Sequence, residues 1–165
     1  MKCPADTCLA PGLSRRTLAA ALAAFTLPLT ARAAEFGTPD EAKAMAEKAA
    51  AVLREKGLDD AIKVFAENPG PFRDRDLYVF VWRDDGMVMF HATQPALIGR
   101  NMIDMKDVKG TPLSRNFIAV KDAAWVDYYW PNPQTKVIQA KGSYIIAVAQ
   151  YRVGVGAYKT QPAAE

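Results

Sequence analysis

At Leu77 the apolar pattern of this chain takes on a period of two, and that change does most to limit what it can fold into. In LYVFVWRDDGMVMFHAT, Leu77 to Thr93, side chains alternate in kind. Leu77, Val79, Val81, Val88 and Phe90 are aliphatic or plainly aromatic; Tyr78, Phe80, Trp82, Met89 and the chain's one histidine, His91, take the other side. Asp85-Gly86 between the two runs predicts a tight β-hairpin. A two-residue turn sets Asp84 against Met87 and His91 against Phe80, whereas a three-residue turn would carry His91 to the face of Val79. The aliphatic face needs only a helix to cover it. The other face carries rings with polar tips.

The covering helix is written upstream. In TPDEAKAMAEKAAAVLREKG, Thr38 and Glu41 have capping-box spacing, Pro39 suits the first helical position and Gly57 offers a left-handed stop. Ala42, Met45, Ala46, Ala49, Val52 and Leu53 recur at helical spacing as a narrow stripe of small residues. A second short helix is expected from Asp59 to about Glu67, with Ala61, Ile62 and Phe65 inward, ended by Asn68-Pro69-Gly70-Pro71. Strands are expected at Leu77–Arg83, Met87–Thr93, Trp125–Trp130, Lys141–Tyr151 and Val153–Tyr158. Between Ala96 and Ala124 runs a long excursion with one short helix, Leu113 to Lys121; a connection of that length in a small domain is usually a lid or binding loop. The expected fold class is α+β, an antiparallel five-stranded sheet with a long N-terminal helix on one face and a loop and short-helix lid over the other.

The first 33 residues read as an export signal. Arg15-Arg16 precede a twelve-residue run, Leu18–Leu29, followed by Ala-Arg-Ala at 31–33. A basic region, a short apolar core and an A-x-A site are the parts of a cleaved signal. The run is too short to span a bilayer, which takes about 20 residues. Ser14-Arg15-Arg16 resembles a twin-arginine signal, and the general secretory route is the alternative; both lead to the periplasm. The expected division is 1–33 export signal, 34–70 N-terminal helical segment, 71–160 sheet domain and 161–165 tail. The signal carries Lys2, Arg15, Arg16, Arg32 and Asp6, so 17 of the 21 basic and 17 of the 18 acidic side chains stay in the mature part. A chain of zero net charge lacks the basic footprint of nucleic-acid binding. Cys3 and Cys8 leave with the signal, so the mature domain is expected to rest on packing without a disulfide.

The aromatic face suggests chemistry of its own. Tyr128 and Trp130 of WVDYYW, and Lys141 and Tyr144 of KGSYIIAVAQY, extend the theme of Tyr78, Trp82 and His91. Buried phenols, indoles and imidazoles need hydrogen-bond partners. Such a lining suits a small polar ligand held by few donors within an apolar wall. A cation and an imidazole converging on one point favour an anion, most simply a carboxylate. Residue types leave the opposite reading open as well, with His91 bonded to a backbone carbonyl, the rings filling a core and Lys141 solvated.

An enzyme is disfavoured by the inventory: the mature part has no cysteine, one histidine, and two serines, Ser114 and Ser143, outside any strand–turn–helix elbow. One histidine makes a poor start for a zinc site. Asp104 and Asp107 of DMKD lack the rest of a calcium loop. Non-covalent haem on His91 and a protein-interaction module without a small ligand are the alternatives to a binding pocket; no cofactor is otherwise expected.

Taken in order, DLYVFVWRDDGMVMFHATQPALIGRNMIDMKDVKG, WVDYYWPNPQT and KGSYIIAVAQYRVGVGAY resemble the single Cache domains of bacteria, over about Gly57 to Lys159. Gln94, Arg100 (where lysine is common) and the missing glycine before Trp125 depart from the family's pattern. The resemblance implies a PAS-like antiparallel sheet and an extracytoplasmic sensor domain for small metabolites, often short organic acids. It places Tyr78, His91, Tyr128, Trp130, Lys141 and Tyr144 on the pocket side and Arg100 and Asn101 in the closing loop, while Phe80, Trp82 and Trp130 would enclose the apolar part of the ligand. Most members are attached to a chemoreceptor or histidine kinase; this chain is expected to be a free-standing periplasmic form serving a membrane-bound kinase, chemoreceptor or transporter. Pairing into a homodimer through the N-terminal helix is a further implication.

Overall fold

The computed structural model describes residues 35–159. The expected export signal and C-terminal tail lie outside the described residues.

Helix α1, Pro39–Ala66, starts with the full capping box: Glu41 N–H donates to the Thr38 hydroxyl and Thr38 N–H to the Glu41 carboxylate, at 3.2 and 2.8 Å. At Gly57 the backbone leaves helical geometry (φ 74°, ψ 176°), so the span is two helices end to end, broken at the expected glycine. Ala42, Met45, Ala46, Ala49, Ala50 and Leu53 are buried, with Ala61 and Phe65 beyond the break. Ala50 belongs to this stripe, while Val52 stays at its half-buried rim.

Six antiparallel strands form the sheet: β1 Arg73–Asp74, β2 Leu77–Arg83, β3 Val88–His91, β4 Ala123–Pro131, β5 Ile138–Val148 and β6 Tyr151–Tyr158. They lie in the order β1-β2-β6-β5-β4, with β3 also pairing β2. The five expected strands are all present, except that the one expected over Lys141–Tyr151 runs from Ile138 to Val148 and Tyr151 opens β6; the two-residue β1 is the sixth. Val79, Val81, Phe90, Val153 and Val155 pack with α1 into one core, in which Phe65 meets Phe72 edge to face at 4.9 Å. Each fully buried side chain of this size contributes roughly 1.5–3 kcal/mol.

The β2–β3 hairpin corrects the expected turn but keeps its consequence. Gly86 N–H donates to the Arg83 carbonyl (3.0 Å) and Arg83 N–H to that of Met87 (2.8 Å), so the loop is three residues long. Gly86, at φ 91°, supplies the left-handed position such a loop requires. A bulge then restores the register: Trp82 pairs Val88, Val81 pairs Phe90, and Phe80 pairs His91 as expected. Met89 is the extra residue, which exchanges two assignments. Val88 joins the aromatic face, and Met89 packs toward α1.

Between β3 and β4 the chain forms a 3₁₀ turn, Pro95–Leu97, and helix α2, Leu113–Ala119. Leu113, Phe117 and Val120 pack on the aromatic face, so the excursion does cover it. Its ties are polar. Asp107 accepts from Lys109 and Thr111 N–H with one oxygen and from Tyr129 N–H of β4 with the other, each at 2.9 Å. Asp104 pairs with Arg115 at 2.6 Å. Asp107 thus ties the lid to β4, while Asp104 pairs within the lid itself.

Candidate ligand pocket

Strand parity sends Tyr78, Phe80 and Trp82 of β2, His91 of β3, Tyr128 and Trp130 of β4, Lys141, Ser143 and Ile145 of β5, and Tyr158 of β6 to the lid side. The rings make a continuous wall. His91 lies 5.1 Å from Tyr78, 6.0 Å from Phe80 and 5.9 Å from Trp130, centre to centre. Phe117 descends from α2 onto Phe80, Trp82 and Tyr128 at 5.4, 5.8 and 5.2 Å. The space left between these rings and Leu113 is about 10 Å³. That holds one water at most.

On the same face of the sheet, but outside the lining of that space, stands Lys141, with 0 % of its surface exposed. Its ammonium lies 3.8 Å from the centre of the Tyr78 ring and 4.5 Å from that of Tyr158. Its one hydrogen-bond contact is the Tyr158 hydroxyl at 3.5 Å, and no carboxylate of the described residues comes within ion-pair distance of it. Asp76, also fully buried, is the negative group that acts on it from farther away. Its own carboxylate accepts from Gly37 N–H at 2.7 Å and from the Asn132 amide at 3.5 Å. Burial pushes the Lys141 amine well below its ordinary range, and Asp76 only partly opposes this. Two quadrupole faces soften the cost of an isolated buried ammonium without cancelling it.

The other polar tips are mostly spoken for. The Tyr158 hydroxyl donates to the Pro131 carbonyl at 2.7 Å and lies 3.4 Å from that of Tyr78; the Tyr128 hydroxyl pairs with Ser143 at 2.8 Å. His91 is 4 % exposed, and its Nδ1 accepts from Gln94 N–H at 3.1 Å, which leaves Nε2 to carry the proton. Burial, and secondarily Lys141, lower the imidazole to about 3. The Trp130 indole nitrogen is buried and has no acceptor in hydrogen-bonding geometry. Tyr78, near it, is raised to about 12 by burial.

Seven of the ten expected residues therefore meet here: Tyr78, Phe80, Trp82, His91, Tyr128, Trp130 and Lys141. Three do not. Tyr144 is an odd number of residues from Lys141, so strand alternation turns it to the α1 side, 5.2 Å from Trp125 and beneath the Lys43 ammonium at 5.4 Å. Asn101 is tied to the hairpin, its amide donating to the Asp85 carbonyl at 2.9 Å and its side-chain oxygen accepting from Ile103 N–H at 3.0 Å. Arg100 has an exposed side chain and contributes through its backbone, the carbonyl accepting from Val88 N–H at 3.0 Å.

Missing from the expectation were Asp76, Ser143, Tyr158 and Gly156. Gly156 is the least obvious of these. A Cβ there would collide with the Ser143 hydroxyl and the Lys141 Cε, so a bare backbone on β6 is what lets the lysine stem lie across the sheet. The signal was available: Tyr158 and Gly156 share parity in VGVGAY, and glycine within a strand marks a close approach.

Residues 30–160 match the family described as Single Cache domain 2. The chain belongs to this family. Single Cache domains are extracytoplasmic ligand-binding sensor modules, which agrees with the resemblance of the strand motifs. Among solved structures it is similar to a methyl-accepting chemotaxis protein from Vibrio parahaemolyticus, with a TM-score of 0.63 and 20% identity over 72% of this chain and 86% of the other. It is similar also to the periplasmic sensor domain of a chemotaxis protein, with a TM-score of 0.58 and 22% identity over 71% of this chain and 87% of that one. A Cache chemosensory domain studied for carboxylic acid recognition has the same TM-score, 0.58, and 22% identity, covering 73% and 88%. No curated protein matches the sequence. Across these the shared property is the Cache fold, with the lid side of the sheet as this chain's candidate site.

Proposed function

We propose that this Cache domain is a periplasmic sensor-type binding protein that takes a short organic acid between Lys141 and the aromatic wall, and offers the bound state to a membrane signalling or transport partner. One observation carries the reading: a fully buried lysine nitrogen with rings on two sides and no carboxylate beside it. A structure rarely buries a lone cation unless an anion completes the site. A carboxylate would accept from Lys141, from His91 Nε2–H and from the Trp130 indole, whose hydrogen has no acceptor. The carboxylic acid recognised by a neighbour of the same fold supports this ligand class. The sensor domains of chemotaxis proteins among the neighbours support a membrane-bound partner. Among the described residues no helix is long and apolar enough to cross a membrane.

The closed chamber says how binding proceeds. About 10 Å³ cannot hold an acid, so α2 must lift Leu113 and Phe117 off Phe80 and Trp82 to admit one. A ligand that favours the lifted lid shifts the population toward it, and the lid is then the surface a partner reads.

Calorimetric titration with short mono- and dicarboxylates tests the proposal. Binding of at least one of them, lost in Lys141→Ala together with its stabilisation against melting, is the expected result. If none binds, or if Lys141→Ala leaves the melting shift unchanged, the ammonium is structural and the proposal fails.

A further inference from the structure

A cation buried without an anion is a cost the free protein can escape in one way, by giving up its proton. Every element packed around Lys141 bears on that choice. β2 presents the Tyr78 ring and hydroxyl, β6 the Tyr158 ring and hydroxyl, β3 the neutral imidazole of His91, and β4 the Tyr128 hydroxyl bonded to Ser143 of β5. From the lid, Leu113 and Phe117 are apolar. The one negative group acting on Lys141 is Asp76, which lies beyond ion-pair distance and is already engaged by Gly37 N–H and Asn132. None of these neighbours supplies a charge in contact. The Tyr158 hydroxyl has committed its own hydrogen to the Pro131 carbonyl, so it offers the nitrogen only a lone pair at 3.5 Å.

We propose that the pocket takes up one proton with each carboxylate it binds, so that what it senses is the undissociated acid, divided on arrival into an anion and a proton on Lys141. The step balances: a neutral amine, a carboxylate and a proton from water become an ammonium–carboxylate pair with no net change of charge in the chamber. Each component would be costly to bury by itself, and together they form a charge-assisted hydrogen bond. The strong downward pull of burial on the Lys141 amine agrees with the geometry. The inference rests on the carboxylate reading of this site and adds to it a dependence on pH. In a compartment whose pH follows the surroundings, the same concentration of acid would register more strongly as the medium acidifies.

The experiment is calorimetric titration of the whole protein with sodium propionate, and with whichever short carboxylate binds most tightly, in buffers of differing ionisation heat. Proton uptake should approach about one per site, and the apparent affinity should fall as the pH rises, by up to ~10-fold per pH unit. His91→Gln should retain the uptake per mole bound, whatever its affinity, because the imidazole is not the acceptor. Binding that is flat with pH and independent of buffer would overturn this inference while leaving the pocket reading intact. Uptake that disappears in His91→Gln would overturn the assignment to Lys141. No binding of any carboxylate at any pH would remove the pocket reading, and this inference with it.

Discussion

The two faces of one sheet are built on opposite principles. Toward α1 the strands present Leu77, Val79, Val81, Val153 and Val155 to a stripe of alanines, each at most 1 % exposed on the strand side. Nothing there needs a hydrogen bond, and small side chains let the helix settle directly on the strands. Toward the lid the same strands bury Lys141, His91, Ser143 and three phenols, and one indole hydrogen is left without an acceptor. Both faces exclude water, but only one gains from all that it excludes. A face buried for stability has no reason to hold a lysine without a charged partner, so the contrast marks where function sits.

Substitution should expose the contrast with opposite signs. Phe65→Ala, on the α1 side, should cost ~3–5 kcal/mol in denaturant unfolding, as deletion of a buried ring does. Lys141→Met, on the lid side, should leave the free protein more stable by ~1–4 kcal/mol while abolishing binding, since an amine that burial forces to give up its proton is replaced by an apolar chain of similar length. A loss in Lys141→Met comparable to that in Phe65→Ala would mean that the lid face, too, is core.

A smaller effect sharpens the same comparison through pH. The folded state holds His91 at about 3, below its unfolded value near 6.5, so only the unfolded chain binds this proton in between. The His91 contribution to stability should therefore be full above about pH 6.5 and fall on acidification toward 3, with a slope approaching ~1.4 kcal/mol per pH unit. Lys141, also lowered by burial, adds a slope of the same sign at higher pH, up to its unfolded value near 10.5. His91→Gln should flatten the curve between about pH 6.5 and 4.5, above the range where the exposed carboxylates titrate. An unchanged acid slope in that variant would place the imidazole in contact with solvent.

How much could be read beforehand differs by feature. Leu77–Arg83, the capping box and the break at Gly57 are local matters, set by period and by residues a few positions apart, and they stand where expected. Phe80 opposite His91 was foreseen for a two-residue turn and is reached by a three-residue turn with a bulge, two changes that cancel. Tyr144 has the chemistry of a pocket residue, but its odd spacing from Lys141 turns it to the α1 side. The importance of Tyr158, Gly156 and Asp76 depends instead on what lies across the sheet from them.

From its sequence alone, this chain determines the alternation that makes two unlike faces, the helix for one of them, and the family to which both belong, because period and capping act over a few residues. Tertiary structure decided the rest: that the lid closes the chamber down to a single water's space, and that Lys141 is wholly buried beside it while Asp76 stops short of ion-pair distance. Those outcomes depend on distances between strands far apart in the chain, and burial and Coulomb energies are set by such distances.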